Sequence, residues 1–180
     1  MDYTLIILAG GRGLRMGGVD KGLVDIDGHP LIEHLLLALP PARHCIISAN
    51  RNLQRYQQWA DQVVSDQRDG FAGPMAGLEA ALAVTEGPCL CLPCDLPHPP
   101  ARLAERLLHG LRPDAVNVLQ DPQRVQPLCL GLIASPDWCR TLTDYLDNGG
   151  HSAHGWLERV AWQAVPFDQP LENLNHWPDT

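Results

Sequence analysis

Blocks of apolar residues alternate with polar stretches along the chain, and the spacing within each block predicts either a strand or a helix. Short apolar runs bounded by turn residues predict strands at residues 3–9, 23–26, 45–48, 62–65, 89–93, 115–119, 128–133 and 162–165. Helical spacing, in several cases after a proline, predicts helices at residues 31–39, 53–60, 74–84, 101–111 and 136–146. This alternation favours one three-layer α/β/α domain over residues 1–180, built on a mostly parallel sheet.

Polar or glycine-rich segments follow four of the predicted strands. Residues 10–21 follow the first strand, Asn50-Arg51 the strand at 45–48, Asp66 the strand at 62–65, and Asp95 the strand at 89–93. In open parallel sheets, ligands bind in the crevice beyond the carboxyl ends of the strands. We therefore expect these four segments to line one edge of the sheet.

The first of these segments combines glycines with positive charge. Residues 10–18 contain five glycines, and Arg12, Arg15 and Lys21 lie within ten residues of one another. Residues 3–19 contain no acid. Glycine allows backbone N–H groups to approach phosphate oxygens closely, so the segment predicts a polyphosphate site. It is neither a P-loop, because Gly22 follows Lys21 where Ser or Thr belongs, nor a dinucleotide fingerprint, because Met16 takes the place of its last glycine.

Composition narrows the function classes. The chain has 180 residues, 45% of them hydrophobic, and a formal charge of −8, which excludes a disordered tail and a broad basic face for nucleic acid or an anionic membrane. No run approaches the roughly 20 apolar residues of a membrane span. The apolar run at residues 5–9 is shorter than a signal-peptide core, so we expect a cytoplasmic protein.

The six cysteines raise the question of a metal site. Cys89, Cys91 and Cys94 are closely spaced, but a tetrahedral site needs a fourth ligand and paired spacings that this segment lacks. A buried strand, in which cysteine acts as a small hydrophobic residue, is the better interpretation. The eight histidines show no H-x-x-x-H spacing of the kind that binds zinc, and none is assigned to chemistry.

The motifs together resemble a known family. The first runs Leu8-Ala9-Gly10-Gly11, Arg15-Met16-Gly17 and Asp20-Lys21. Further matches are Ala49-Asn50-Arg51, Asp66, Gly73-Pro74-Met75-Ala76-Gly77, Pro93-Cys94-Asp95-Leu96-Pro97 and Asn173-Leu174-Asn175. In this order they resemble the molybdenum cofactor guanylyltransferases of the bacterial MobA type, which are Rossmann-like nucleotidyltransferases, and the likeness spans nearly the whole chain.

The resemblance implies a reaction. GTP and molybdenum-bound molybdopterin give the molybdopterin guanine dinucleotide cofactor and pyrophosphate, with Mg²⁺ as cofactor. The implied partners are GTP, molybdopterin and chaperones of molybdoenzyme maturation, with no nucleic acid and no membrane.

The resemblance also implies residue roles. Lys21 and Arg15 would offset charge on the triphosphate, and Asp95 would be catalytic as the ligand of the metal. The implied nucleotide-binding residues are Leu8, Ala9, Gly10, Gly11, Lys21, Asn50, Asp66 and Asp95. Asn173 and Asn175 would lie on the pterin side.

Several alternatives stay open. Asp66 could bind the base or the ribose, and Asp95 could instead cap a helix. Ser48 replaces an asparagine that is common in the family, so a contact between residue 48 and the base stays open. Gln126 replaces a histidine in the segment that contains Arg124, so a contact between Arg124 and the pterin also stays open. Lys21 is expected to be exposed unless it reaches a ligand.

Two other functions are weighed. A cytidylyltransferase sister usually carries Ala-Ala-Gly where this chain has Ala9-Gly10-Gly11. A non-catalytic GTP-binding regulator of the same fold would have lost the lysine or the metal-binding aspartate, and both are present.

Overall fold

A computed structural model describes residues 2–11, 18–68 and 73–172, and a large sheet lies at its centre. The strands are β1 (Thr4–Leu8), β2 (Asp25–Ile26), β3 (His29–Pro30), β4 (His44–Ser48), β5 (Gln62–Val64), β6 (Gly87–Pro93), β7 (Val116–Gln120), β8 (Val125–Ala134) and β9 (Trp162–Pro166). The helices are α1 (Leu31–Ala38), α2 (Leu53–Tyr56), α3 (Pro74–Leu82), α4 (Leu103–Leu107), α5 (Pro136–Asp147) and α6 (Ala153–Leu157). A 3₁₀ turn covers Lys21–Leu23.

The sheet is mostly parallel, as predicted. Its seven strands lie in the order β5-β4-β1-β6-β8-β7-β9, and β2 and β3 form a separate hairpin. β5, β4, β1 and β6 run parallel to one another. β8 is antiparallel to both of its neighbours, and β7 and β9 run in the direction of β6. The carboxyl ends of six strands therefore share one edge.

Two apolar clusters on opposite faces of the sheet give three layers, which confirms the predicted architecture. On one face, Ile7 of β1 packs in a cluster with Ile32 of α1 and with α4. On the other face, Ile6 packs in a cluster with Leu78 of α3, Trp156 of α6 and with α5. Because β1 is buried on both faces, its sequence is a continuous apolar run and does not alternate.

Several predicted boundaries were wrong. The strand expected at 23–26 is a two-residue arm of the β2–β3 hairpin, whose turn residues Asp27 and Gly28 both have positive φ. α2 ends at Tyr56 and not at residue 60, and α4 spans only five residues. β8 begins at Val125, where it pairs with β7. α6 was not predicted, because five residues are too few for a helical period to be visible.

The cysteine segment forms a buried strand, as predicted. Cys89 and Cys91 lie fully buried in β6 against one apolar cluster, whereas Cys94 lies in the cluster on the opposite face. Burial raises the pKa of the Cys89 thiol to about 12, so the thiol stays protonated. Within residues 2–11, 18–68 and 73–172, no group of three or more His, Cys, Asp or Glu side chains could hold a metal ion.

No helix in the described part of the chain has the length and apolar character needed to cross a membrane.

Candidate active site at the carboxyl edge of the sheet

The four predicted segments meet at one edge of the sheet. The adjacent strands β5, β4, β1 and β6 lead into Asp66, Asn50, Gly10 and Asp95 respectively. Asn50 Nδ2 donates to Asp66 Oδ2 at 2.9 Å, and the Asp66 backbone N–H donates to Asn50 Oδ1 at 2.9 Å. Asn50 Nδ2 also lies 3.5 Å from the carbonyl oxygen of Gly10. Side-chain hydrogen bonds therefore connect the ends of three neighbouring strands.

The Asp66 side chain is half-buried at this edge. Burial is the main cause that raises its pKa; the hydrogen bond from Asn50 opposes this, and the charge of Glu79 adds to it. While Oδ2 accepts from Asn50, the buried Oδ1 has no hydrogen-bond partner among the described residues. An unsatisfied buried acceptor costs free energy, and a Cβ added to Gly77 of α3 would lie 3.5 Å from Oδ1, so this oxygen lies under the helix.

Ser48 is covered by α3. Its side-chain oxygen is buried without a hydrogen-bond partner in the described part of the chain. A Cβ added to Gly77 of α3 would lie 2.5 Å from this oxygen, so the helix can approach β4 only because residue 77 is glycine. Ser48 therefore lies in the contact between α3 and β4 and does not present its hydroxyl at an open surface.

Lys21 and Asp95 form an ion pair. Lys21 Nζ lies 3.0 Å from Asp95 Oδ2, and the two side chains are 28% and 15% exposed. The expectation that Lys21 is exposed without a ligand was therefore wrong, because Asp95 comes within reach after a separation of 74 residues. The Cys94 backbone N–H donates to the Leu8 carbonyl oxygen at 3.1 Å, which fixes the chain before Asp95 to the end of β1.

Asp95 does not cap the following helix. α4 begins at Leu103, and Arg102 precedes it as the N-cap residue. The alternative of a capping aspartate is therefore wrong, and Asp95 is left with Lys21 as its charged partner.

Asp20 is a buried acid beside Lys21 for which no role was predicted. Its side chain is buried, accepts from Tyr56 Oη at 2.5 Å and from Asn52 Nδ2 at 2.9 Å, and lies 3.8 Å from Arg51 Nε. The Arg51 guanidinium donates to the carbonyl oxygens of Gly11, Gly18 and Val19. The one sequence feature that could have indicated this role is the position of an acid directly before the lysine of the glycine-rich segment.

Gln126 has a structural role near the same edge. Its amide donates at 2.6 Å to Asp121, a buried carboxylate that also accepts from the backbone N–H of Leu171 at 3.1 Å. Burial acts to raise the pKa of Asp121, but hydrogen bonds from Gln126 and from three backbone N–H groups hold it below its usual value. Arg124 contributes one of these N–H groups and is itself exposed. Asp121 thus fixes the chain that leads towards the C-terminus.

Three predicted site residues lie outside the described residues: Arg15, Asn173 and Asn175. The other predicted residues all lie at the carboxyl edge or at the end of β1.

The edge is suited to an anion together with a hard cation. Lys21 supplies an ammonium group, and Asp95 supplies carboxylate oxygens, which Mg²⁺ prefers. One carboxylate is too few to enclose a metal, but Mg²⁺ is commonly held by one or two carboxylates with water and substrate phosphates as its other ligands. The donor set therefore fits a metal that arrives with a phosphorylated substrate.

Comparison with known proteins shows one consistent family. The model of the MobA-like NTP transferase domain matches residues 5–169. A molybdenum cofactor guanylyltransferase of Ralstonia nicotianae is 42% identical, covering 97% of this chain and 91% of the relative. One of the same name from Shewanella sediminis is 38% identical, with the same coverage.

Solved structures share the fold. The crystal structure of molybdopterin-guanine dinucleotide biosynthesis protein A from Archaeoglobus fulgidus superimposes with a TM-score of 0.71 at 23% identity, covering 91% of this chain and 83% of that one. A nucleotidyl transferase from Methanothermobacter thermautotrophicus has a TM-score of 0.73 at 21% identity, covering 97% and 92%. At these identities the likeness shows the fold alone.

Proposed function

The chain belongs to the family of MobA-like NTP transferases, and from that premise we propose that it transfers GMP from GTP to molybdenum-bound molybdopterin. The products are the molybdopterin guanine dinucleotide cofactor and pyrophosphate. The observation that carries the proposal is the likeness over 97% of the chain, at 38–42% identity, to relatives named molybdenum cofactor guanylyltransferase. The family predicted from the motifs is thereby confirmed, and the chain is a nucleotidyltransferase.

The proposed reaction is a phosphoryl transfer in which the protein positions two phosphates. An oxygen of the terminal phosphate of molybdopterin forms a bond to the α-phosphorus of GTP, and the bond from that phosphorus to the bridging oxygen breaks, which releases pyrophosphate. Catalysis of such a transfer is mostly positioning and stabilisation of charge. Lys21 stabilises the charge that grows on the leaving pyrophosphate, and Arg15 acts on the same triphosphate.

Nucleotide binding is assigned to the ends of β1, β4 and β5. The backbone of Leu8, Ala9, Gly10 and Gly11 lies along the triphosphate. Asn50 holds Asp66 in place through two hydrogen bonds, and the Asp66 carboxylate accepts from the base or from a ribose hydroxyl. Both uses need an acceptor, which a carboxylate supplies.

Asp95 is the proposed ligand of Mg²⁺. Its carboxylate would hold the metal, which would supply positive charge to offset the charge of the triphosphate. Lys21 Nζ lies 3.0 Å from Asp95 Oδ2, so Lys21 would exchange this carboxylate for a phosphate when GTP binds, which would leave Asp95 to hold the metal.

The remaining roles extend the same proposal. Asn173 and Asn175 contact the pterin side, residues 1–180 form a single nucleotidyltransferase domain, and chaperones of molybdoenzyme maturation receive the product. We place the enzyme in the cytoplasm, since its six cysteines are free thiols, which a reducing compartment maintains.

We expect the purified protein to prefer GTP over CTP, UTP and ATP in the presence of Mg²⁺. A site that hydrogen-bonds a base edge rejects a base without matching groups by several kcal/mol, because its own buried polar atoms are then unpaired. Competition of the four nucleotides against a fluorescent GTP analogue measures the preference. Equal binding of CTP and GTP would contradict the guanine assignment and support the cytidylyltransferase alternative.

A further inference from the structure

Arg51 connects the two flanks of the glycine-rich segment. Its Nη1 donates to the Gly18 carbonyl oxygen at 2.5 Å, and its Nη2 donates to the carbonyl oxygens of Gly11 at 3.2 Å and Val19 at 3.0 Å. Gly11 precedes residues 12–17, and Gly18 and Val19 follow them. A single side chain after the end of β4 thus connects the backbone at Gly11 to the backbone at Gly18 and Val19, which follow it by seven and eight residues.

Most of the N–H groups of this guanidinium donate within the protein. Three of its N–H donations go to backbone carbonyl oxygens, and its Nε lies buried, 3.8 Å from Asp20 Oδ2. The planar fork of arginine reaches several acceptors at once, which the compact ammonium of lysine cannot do.

Asp20 belongs to the same hydrogen-bonded network as Arg51. This buried carboxylate accepts from Tyr56 Oη and Asn52 Nδ2, and it lies directly before Lys21 in the chain. A Cβ on Gly22 would lie 2.6 Å from Tyr56 Oη, so the 3₁₀ turn is packed closely on the tyrosine. The residues on both sides of Lys21 are therefore held by the same network that holds Arg51.

We propose that Arg51 is a positioning residue for the triphosphate: together with Asp20 it holds the backbone at Gly11 and the backbone at Lys21 at a fixed separation. The inference rests on the proposed function, since it assigns a role in binding the phosphates of GTP. Arg51 itself contacts neither substrate nor metal. Its loss is expected to weaken interactions with the phosphates and to leave recognition of the nucleoside intact.

The test compares GTP with guanosine, which lacks phosphates, on wild-type protein and on Arg51→Lys. We expect Arg51→Lys to lower kcat/KM for GTP by about 10²-fold, the scale of a misplaced reacting group. GTP affinity, measured by calorimetry, should fall at least about tenfold, while guanosine affinity stays within about twofold, because only the multi-acceptor fork is lost. Arg55→Lys, on the exposed face of α2, is the matched control and should behave as wild type.

Asp20→Asn is the second variant and should reduce GTP affinity selectively in the same way. The positioning role is overturned if Arg51→Lys binds GTP as wild type does, or if it loses affinity for GTP and for guanosine together. It is also overturned if Arg51→Lys fails to fold and Asp20→Asn keeps full GTP affinity. Failure of the proposed function gives a different result, since wild-type protein would then not bind GTP.

Discussion

Replacing Lys21 by alanine should lower the rate of guanylyl transfer by about 10²–10³-fold, the usual loss when one preorganised group that stabilises transition-state charge is removed. The free energy of unfolding should change by about 1 kcal/mol or less, because the Lys21–Asp95 pair is partly exposed and such pairs contribute little. Steady-state kinetics and thermal unfolding of the same preparation measure the two effects. Lys21→Arg should recover only part of the rate, since a planar fork does not reproduce a compact ammonium.

A matched control separates catalysis from the loss of an ion pair. Arg112 and Asp114 form an exposed pair at 2.8 Å, just before β7 and therefore at the opposite edge of the sheet, and Arg112→Ala should leave turnover unchanged. If Lys21→Ala transfers guanylate at close to the wild-type rate, the charge role assigned to Lys21 is wrong and passes to Arg15 or Arg12.

Lys21 can also be located chemically, because it is the only lysine among the 180 residues. Periodate-oxidised GTP reacts with amines, so mass spectrometry of the labelled protein distinguishes the Lys21 side chain from the N-terminal amine. Labelling of Lys21 that excess GTP suppresses places this side chain within reach of the bound nucleotide.

Asp95→Asn should keep the fold and lower turnover at limiting Mg²⁺ by about 10²-fold, the same order as the loss of one charge-stabilising group. A neutral amide is a poorer ligand than a carboxylate for a hard cation. The Mg²⁺ concentration that gives half-maximal activity should therefore rise. A magnesium titration of the transfer rate measures both effects.

The control for this variant is Asp114→Asn, which also removes a carboxylate paired with a cation but lies far from the carboxyl edge. It should follow the wild-type titration. Wild-type activity of Asp95→Asn at limiting Mg²⁺ would mean that Asp95 serves only to pair with Lys21 and that the metal binds elsewhere.

The central part of the fold could be predicted from the sequence because its strands are buried on both faces. β1 and β6 are continuous apolar runs that no solvent-facing element would carry, and their order of alternation with helices implies a parallel sheet. α6 and the β2–β3 hairpin were missed or misassigned because elements of two to five residues show no reliable period. The early start of β8 depends on pairing with β7, which is a tertiary contact.

The sequence predicted which strand ends form the site, but it did not predict which side chains pair there. The rule that ligands bind beyond the carboxyl ends of parallel strands brings Asn50, Asp66 and Asp95 together without knowledge of any contact. The pairing of Lys21 with Asp95 joins residues 74 positions apart, and local sequence does not encode such a distance. The role of Arg51 was missed for the same reason, since its acceptors are backbone oxygens that every residue carries.

Transfer itself is the most direct test of the account. The wild-type protein is incubated with Mg²⁺, molybdenum-bound molybdopterin and either GTP or CTP, and the products are separated and identified by mass. We expect the guanine dinucleotide and one pyrophosphate per dinucleotide with GTP, and little or no cytosine dinucleotide with CTP. Formation of the cytosine dinucleotide in preference, or binding of GTP without any dinucleotide or pyrophosphate, would contradict it.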